Sequence, residues 1–309
     1  MSTIEKALAK KGAKQAAQDT TNAGQNEAAK ETTIEKASSS TEQGGQKQSK
    51  STSHKKTTTP DGLFLEIDND ALISNGYLSI HGDRSRKSDE YRGIKRKVLS
   101  NAFGPLSKTL KNSNIIMVSS ARPNEGKTFT AINLAISIAL EKDKTVLLVD
   151  ADVLRPSISR ELGVKTENGL MEYLLDECHS IADVLYKTNI DKLRVIPAGR
   201  SHHLSTELLS SEKMLKAVDE FSSRYSDRVV IFDTPPLLGI NESAVLANLA
   251  GQAVIVVEEN ESKLRLVQQA TELLSPDMAK GFVVNKAVRS GSASGDYYYG
   301  HYYGASDKK

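Results

Sequence analysis

Short apolar runs rich in β-branched residues punctuate the middle of the chain: Ile115–Val118, Val146–Val149, Leu193–Ile196, Val229–Phe232, Ala253–Val257 and Phe282–Val284. Between most of them lie longer segments whose apolar positions follow helical spacing, such as 128–141, 211–224 and 263–274. A strand apolar at nearly every position is buried on both faces, and that requires helices on either side of a mainly parallel sheet. The alternation predicts an α/β fold, a doubly wound and mainly parallel sheet over residues 86–290. Ligands of such sheets bind beyond the carboxyl ends of the strands.

The flanks break the pattern. Residues 1–60 contain no Phe, Tyr or Trp, and their only large aliphatic side chains are Met1, Ile4, Leu8 and Ile34. Such a segment buries too little apolar surface to offset the entropy of ordering it, so residues 1–85 read as a disordered arm and linker. A short repeat lies within it, Thr3–Ala7 and Thr33–Ala37 both reading Thr-Ile-Glu-Lys-Ala. At the other end, residues 291–309 hold five of the ten tyrosines: Tyr297, Tyr298, Tyr299, Tyr302 and Tyr303. Gly291, Gly295, Gly300 and Gly304 surround them, a density that argues for a flexible exposed tail.

The polar motifs fall at strand ends. After Ile115–Val118 comes Ser-Ser-Ala-Arg-Pro-Asn-Glu-Gly-Lys-Thr, residues 119–128, and then a helix. Strand, loop, Gly126-Lys127-Thr128 and helix make a phosphate-binding loop, with Ala121 where the usual pattern has its first Gly. Backbone N–H groups of Ala121, Arg122, Pro123–Glu125 and Gly126 then surround phosphates, Pro123 excepted as a donor. Lys127 supplies a point charge and the Thr128 hydroxyl reaches Mg²⁺. Two further strands end in carboxylates, Asp150-Ala-Asp152 followed by Arg155-Pro156, and Asp233-Thr-Pro-Pro236. Mg²⁺ takes one or two carboxylates with water and nucleotide oxygens, so Thr128, Asp233 and Asp152 form a candidate metal side. One of Asp150 and Asp152 is then left to accept the proton of an incoming hydroxyl.

Composition narrows the rest. Lys and Arg total 41 against 39 Asp and Glu, a formal charge of +2, which gives no footprint for nucleic acid. The single Cys178 excludes an internal disulfide and fits a reducing compartment. The longest uncharged apolar stretch, Phe129–Leu140, is too short to span a bilayer, and the start has no apolar signal core. A cytoplasmic protein is expected. His202-His203 stands without accompanying Cys or carboxylates and reads as loop, and no His-Arg-Asp or Asp-Phe-Gly triplet of eukaryotic-type kinases occurs.

With these motifs the sequence resembles the bacterial tyrosine kinases of exopolysaccharide biosynthesis, and most of all their exosortase-associated autokinase subgroup. Ala121–Thr128 matches the family's first motif, Val149–Asp152 with Arg155-Pro156 its second, and Phe232–Pro236 its third; Glu207–Ser211 and the opening Ile4–Leu8 are also similar. The resemblance implies a fold related to the cell-division and partition ATPases, with ATP and Mg²⁺ as cofactors. It implies Lys127, Asp150, Asp152 and Arg155 as catalytic residues, and autophosphorylation in trans of the clustered tyrosines. Leu154 stands where the family often has the first of two adjacent arginines. The family's ring-forming helix corresponds to Asp89, Arg92, Lys95 and Arg96, whose spacing places them near one helix face. Asn285 matches a position that reads adenine in related ATPases, while a strand-end turn explains it as well. Implied partners are further copies in a ring, a separate transmembrane co-polymerase that activates the kinase at the inner membrane, and a phosphotyrosine phosphatase. The alternative is a partition or septum-placement ATPase that works as a nucleotide switch. Such membrane-placing proteins end in a basic amphipathic helix, whereas this chain ends in Tyr and Gly.

Overall fold

A computed structural model describes residues 62–288, Asp83 excepted. The tyrosine cluster and the N-terminal repeat lie outside the described residues. The strands are β1 (Phe64–Leu65), β2 (Ile115–Ser120), β3 (Thr145–Asp150), β4 (Tyr186–Thr188), β5 (Leu193–Ile196), β6 (Arg228–Asp233), β7 (Gln252–Glu258) and β8 (Ala279–Asn285). The helices are α1 (Asn69–Ser74), α2 (Arg86–Phe103), α3 (Lys127–Ala139), α4 (Ile158–Glu161), α5 (Leu170–Leu174), α6 (Ser205–Leu209), α7 (Glu212–Ser223), α8 (Asn241–Ala247) and α9 (Leu264–Glu272). One sheet of eight strands runs β1-β4-β5-β3-β6-β2-β7-β8. Every neighbouring pair is parallel except β4 with β5.

The six runs expected as strands all form strands, and the two-residue side-chain period explains their apolar character. In β3, Val146 and Leu148 face one core layer while Leu147 and Val149 face the other. In β6, Val229 and Ile231 divide from Val230 and Phe232 in the same way. Helix α3 is buried at every residue from Thr130 to Ala139, because α2 covers the side that the sheet does not. A helix apolar all round needs such cover. Among the described residues no helix is long and apolar enough to cross a membrane.

Two expectations change. Residues 62–82 are not an arm: β1 pairs with β4, and Leu65, Ile67, Leu72, Tyr77 and Leu78 are buried in the same layer as α3. Asp68 caps α1, its Oδ1 accepting from the N–H groups of Asp70 (2.9 Å) and Ala71 (3.2 Å). Elements this short carry too little periodicity to be read without the partner strand. The second change concerns β8, expected to be buried. It is an edge strand with one neighbour, and Phe282 and Val284 are more than half exposed.

Candidate active site at the carboxyl edge of the sheet

The parallel register of β3 and β6 sets Asp150 directly opposite Asp233, at the edge where β2 delivers the loop 121–126. That loop is held from within. Ser120 Oγ donates to the Arg122 carbonyl at 2.6 Å, and the Arg122 N–H donates to Glu125 Oε2 at 2.8 Å. The Ser262 hydroxyl donates to the other Glu125 oxygen. Glu125 is buried and faces into the loop, so its carboxylate braces the backbone and does not line the cavity. Asn124 and Gly126 both adopt left-handed backbone, φ 68° and 95°. The turn brings Gly126 against Asn285, whose Nδ2 occupies the space a Cβ would need. Asn285 donates to the Glu125 carbonyl at 3.0 Å, and Lys286 Nζ to the Asn124 carbonyl at 2.7 Å.

Helix α3 starts at the loop's end with Lys127, whose Nζ meets Asp152 Oδ2 at 2.8 Å. Thr128 Oγ1 donates to Asp233 Oδ2 at 2.6 Å and lies 2.8 Å from Ser157 Oγ. Asp150 Oδ2 accepts from the N–H groups of Ser157 and Ile158, both at 3.0 Å. Asp152 Oδ1 accepts from the Arg155 N–H at 3.1 Å. Asp150 Oδ1 and Asp233 Oδ1 are buried with no hydrogen-bond partner.

Three buried carboxylates therefore share one ammonium. Burial pushes the Asp233 carboxyl up to about 8, with Asp150 and Asp152 adding repulsion against the opposing pull of Lys127. Burial likewise raises Asp150 to about 6, partly countered by the Ile158 and Ser157 N–H groups. For Lys127, burial favours the neutral amine, but Asp233 and Asp152 outweigh it and hold the ammonium above its ordinary value. Unpartnered buried oxygens beside excess negative charge suit a divalent cation. Among the described residues no group of three or more His, Cys, Asp or Glu is arranged to hold a metal alone. A cation held here would need its remaining ligands from water and nucleotide oxygens, the kind of shell that Mg²⁺ accepts.

A cavity of about 680 Å³ opens over Lys127, Thr128 and Asp152, with Arg155, Pro123 and Asn124 also on its lining. Its lining also includes the apolar residues Leu154, Pro235, Pro236, Leu238 and Ile240. Ala121 is buried and Arg122 exposed, and neither lines the cavity. Ser157 and Tyr77 were not legible as site residues, since a lone Ser after Arg155-Pro156 and a Tyr in a short N-terminal segment carry no motif. Away from the cavity, Lys95 does not share the exposed face of α2. The buried positions Ser88, Tyr91, Lys95, Val98 and Ala102 form one stripe, and Lys95 donates to the Ser137 carbonyl at 3.1 Å and pairs with Glu141. Asp89 and Arg92 pair with each other at 2.7 Å at the surface, and Arg96 is exposed. The His202 and His203 rings stack with centroids 4.3 Å apart, outside the cavity.

This sheet order, loop and carboxylate pair define a phosphate-loop nucleotide-binding protein. The AAA domain family matches residues 113–275, which include every one of these motifs except Asn285. Tyrosine-protein kinase YwqD of Bacillus subtilis is 30% identical over 238 residues, covering 76% of this chain and 96% of the relative. The chain belongs to the bacterial tyrosine-protein kinases built on this nucleotide-binding domain. Tyrosine-protein kinase wzc of Salmonella typhimurium is 31% identical over 199 residues, 64% of this chain but 27% of that longer protein. The solved kinase domain of Escherichia coli tyrosine kinase ETK superposes with a TM-score of 0.60 at 26% identity, covering 74% of this chain and 83% of that one.

Proposed function

We propose that the chain is an ATP-dependent protein-tyrosine kinase that phosphorylates, in trans, the cluster Tyr297, Tyr298, Tyr299, Tyr302 and Tyr303 of a neighbouring copy. The observation that carries this reading is the meeting of Lys127 and Thr128 with Asp152 and Asp233 at a cavity whose lining includes Leu154, Leu238 and Ile240. In the transfer, the bond from the γ-phosphorus to the β–γ bridging oxygen breaks and a bond to the tyrosine oxygen forms. The phenol proton passes to a carboxylate. Asp152 lines the cavity and Asp150 does not, which supports Asp152 as the acceptor of that proton and Asp150 as part of the cation's surroundings. Lys127 and the loop N–H groups bind phosphate oxygens, and Thr128 and Asp233 hold the Mg²⁺ side. When bound, Mg²⁺ neutralises charge on the phosphate oxygens. Arg155 on the lining adds a further cation, and Leu154, Leu238 and Ile240 offer an apolar seat for the acceptor ring.

Asp89, Arg92 and Arg96 on the outer face of α2 are the reading for contact between copies, without Lys95. Asn285 supports the loop through its bond to the Glu125 carbonyl, and reading the base edge is the further role its match to related ATPases suggests. A transmembrane co-polymerase would recruit the kinase to the cytoplasmic side of the inner membrane, a phosphotyrosine phosphatase would reset it, and the output is control of exopolysaccharide synthesis. Purified protein incubated with ATP and Mg²⁺ and probed for phosphotyrosine tests the activity. Mass spectrometry of the tail peptide tests the acceptor. Protein that hydrolyses ATP yet never labels tyrosine would instead support the nucleotide switch.

A further inference from the structure

A hydrogen bond from outside the matched domain reaches the short helix that follows Asp150 and Asp152. Tyr77 lies in the segment between α1 and α2, ahead of residue 113 where the AAA family match begins. Its ring is buried and packs against Phe129 with centroids 4.9 Å apart. The next N–H, that of Leu78, donates to Asn133 Oδ1 of α3 at 2.7 Å, so the backbone here is tied to the helix that begins at Lys127. The Tyr77 hydroxyl donates to Glu161 Oε2 at 2.8 Å. Burial, with Glu161 beside it, holds that phenol far above its ordinary value, so it stays a donor at every physiological pH.

Glu161 is the last residue of α4, a single turn closed by the Glu161 N–H to Ser157 carbonyl and Leu162 N–H to Ile158 carbonyl bonds, both 2.9 Å. One turn does not hold its own position; helix nucleation is unfavourable and tertiary contacts must fix it. At its start, Ser157 and Ile158 present their N–H groups to Asp150 Oδ2, and Ser157 presents its hydroxyl to Thr128. Asp150 Oδ1 has no partner, so those two bonds set the carboxylate's orientation.

We propose that Tyr77 is a positioning residue for phosphoryl transfer: through Glu161 it fixes α4, and α4 in turn fixes Asp150 and the Thr128 hydroxyl. The segment 62–82 is then a working part of the site. This rests on the kinase reading above. The test uses the full chain with Y77F, which keeps the ring but removes the donor, E161A, which removes the acceptor, and E161Q, which keeps an acceptor oxygen. Y77F and E161A should each lower kcat about tenfold with KM for ATP unchanged. The double variant should be no slower than either single one, and E161Q should stay near wild type. Without nucleotide or Mg²⁺, amide hydrogen exchange should quicken over residues 157–161 in Y77F while 127–139 keeps its protection. Wild-type kcat in Y77F, additive losses in the double variant, E161Q as slow as E161A, or exchange raised across the whole domain would each overturn the proposal. If the wild-type chain itself transfers no phosphate, the kinase reading fails, and the exchange experiment still decides whether Tyr77 holds α4.

Discussion

Asp233 sits at the end of a central strand with no exposed surface, one oxygen bound to Thr128 and the other without a partner. Replacing it with Asn separates what the site needs from what the fold prefers. A carboxyl held above its unfolded value binds its proton more tightly when folded. Its contribution is therefore most favourable below the unfolded value and is lost as pH rises toward the folded one. With Asp233 moved from 3.8 to about 8, the unliganded protein bears a cost of about 4 kcal/mol at neutral pH. Asp233→Asn removes that cost. The new amide donors bring a penalty of their own, about 1–3 kcal/mol if they find no acceptor where Oδ1 now has none. The net expectation is a gain of roughly 1–3 kcal/mol at neutral pH together with a loss of kinase turnover of at least about 100-fold. Urea unfolding in the absence of Mg²⁺ and nucleotide, followed from about pH 5 to about pH 8, reads it directly. Wild type should lose stability across that range, while the variant should show only the shallower slope left by Asp150, whose carboxyl burial pushes up to about 6. A variant less stable than wild type at the upper end of that range, or one with an unchanged slope, would refute the reasoning.

Lys127→Met removes the one ammonium among three carboxylates, so labelling by radioactive ATP should vanish while the circular dichroism of the fold persists; near wild-type labelling would dismiss Lys127 from phosphate binding. Gly126→Ala forces a side chain into left-handed backbone and against Asn285, so nucleotide affinity measured by a fluorescent ATP analogue should fall about tenfold or more. Unchanged affinity would show that the loop tolerates another path. Five phosphotyrosines add roughly −8 to −10 of charge to residues 297–303. That charge should drive neighbouring tails apart, so light scattering on phosphorylated and dephosphorylated samples should show smaller assemblies for the former; identical masses would show that tail phosphorylation does not loosen the assembly.

The chemistry was legible because it is local. A loop that wraps phosphate must have its Gly, Lys and Thr in consecutive positions, and a carboxylate at the tip of a parallel strand must follow directly on the apolar run. Lys127, Thr128, Asp150, Asp152 and Asp233 therefore announce themselves in order along the chain. Lys95 shows where spacing misleads: α2 spans 18 residues, and neighbouring positions at i+3 and i+4 fall on either side of the boundary between core and surface. Only the packing of α3 and Glu141 decides that Lys95 turns inward while Arg92 and Arg96 stay out.

Sequence by itself determined the doubly wound sheet, the phosphate loop and the two acidic strand ends, because apolar periodicity and contiguous motifs survive in one dimension. Tertiary structure alone decided that residues 62–82 belong to the domain, that β8 is an exposed edge, that Glu125 braces the loop, and that Tyr77 reaches Glu161 across 84 positions of chain. Each of those depends on a partner distant in sequence, whose contribution no local pattern of side chains records.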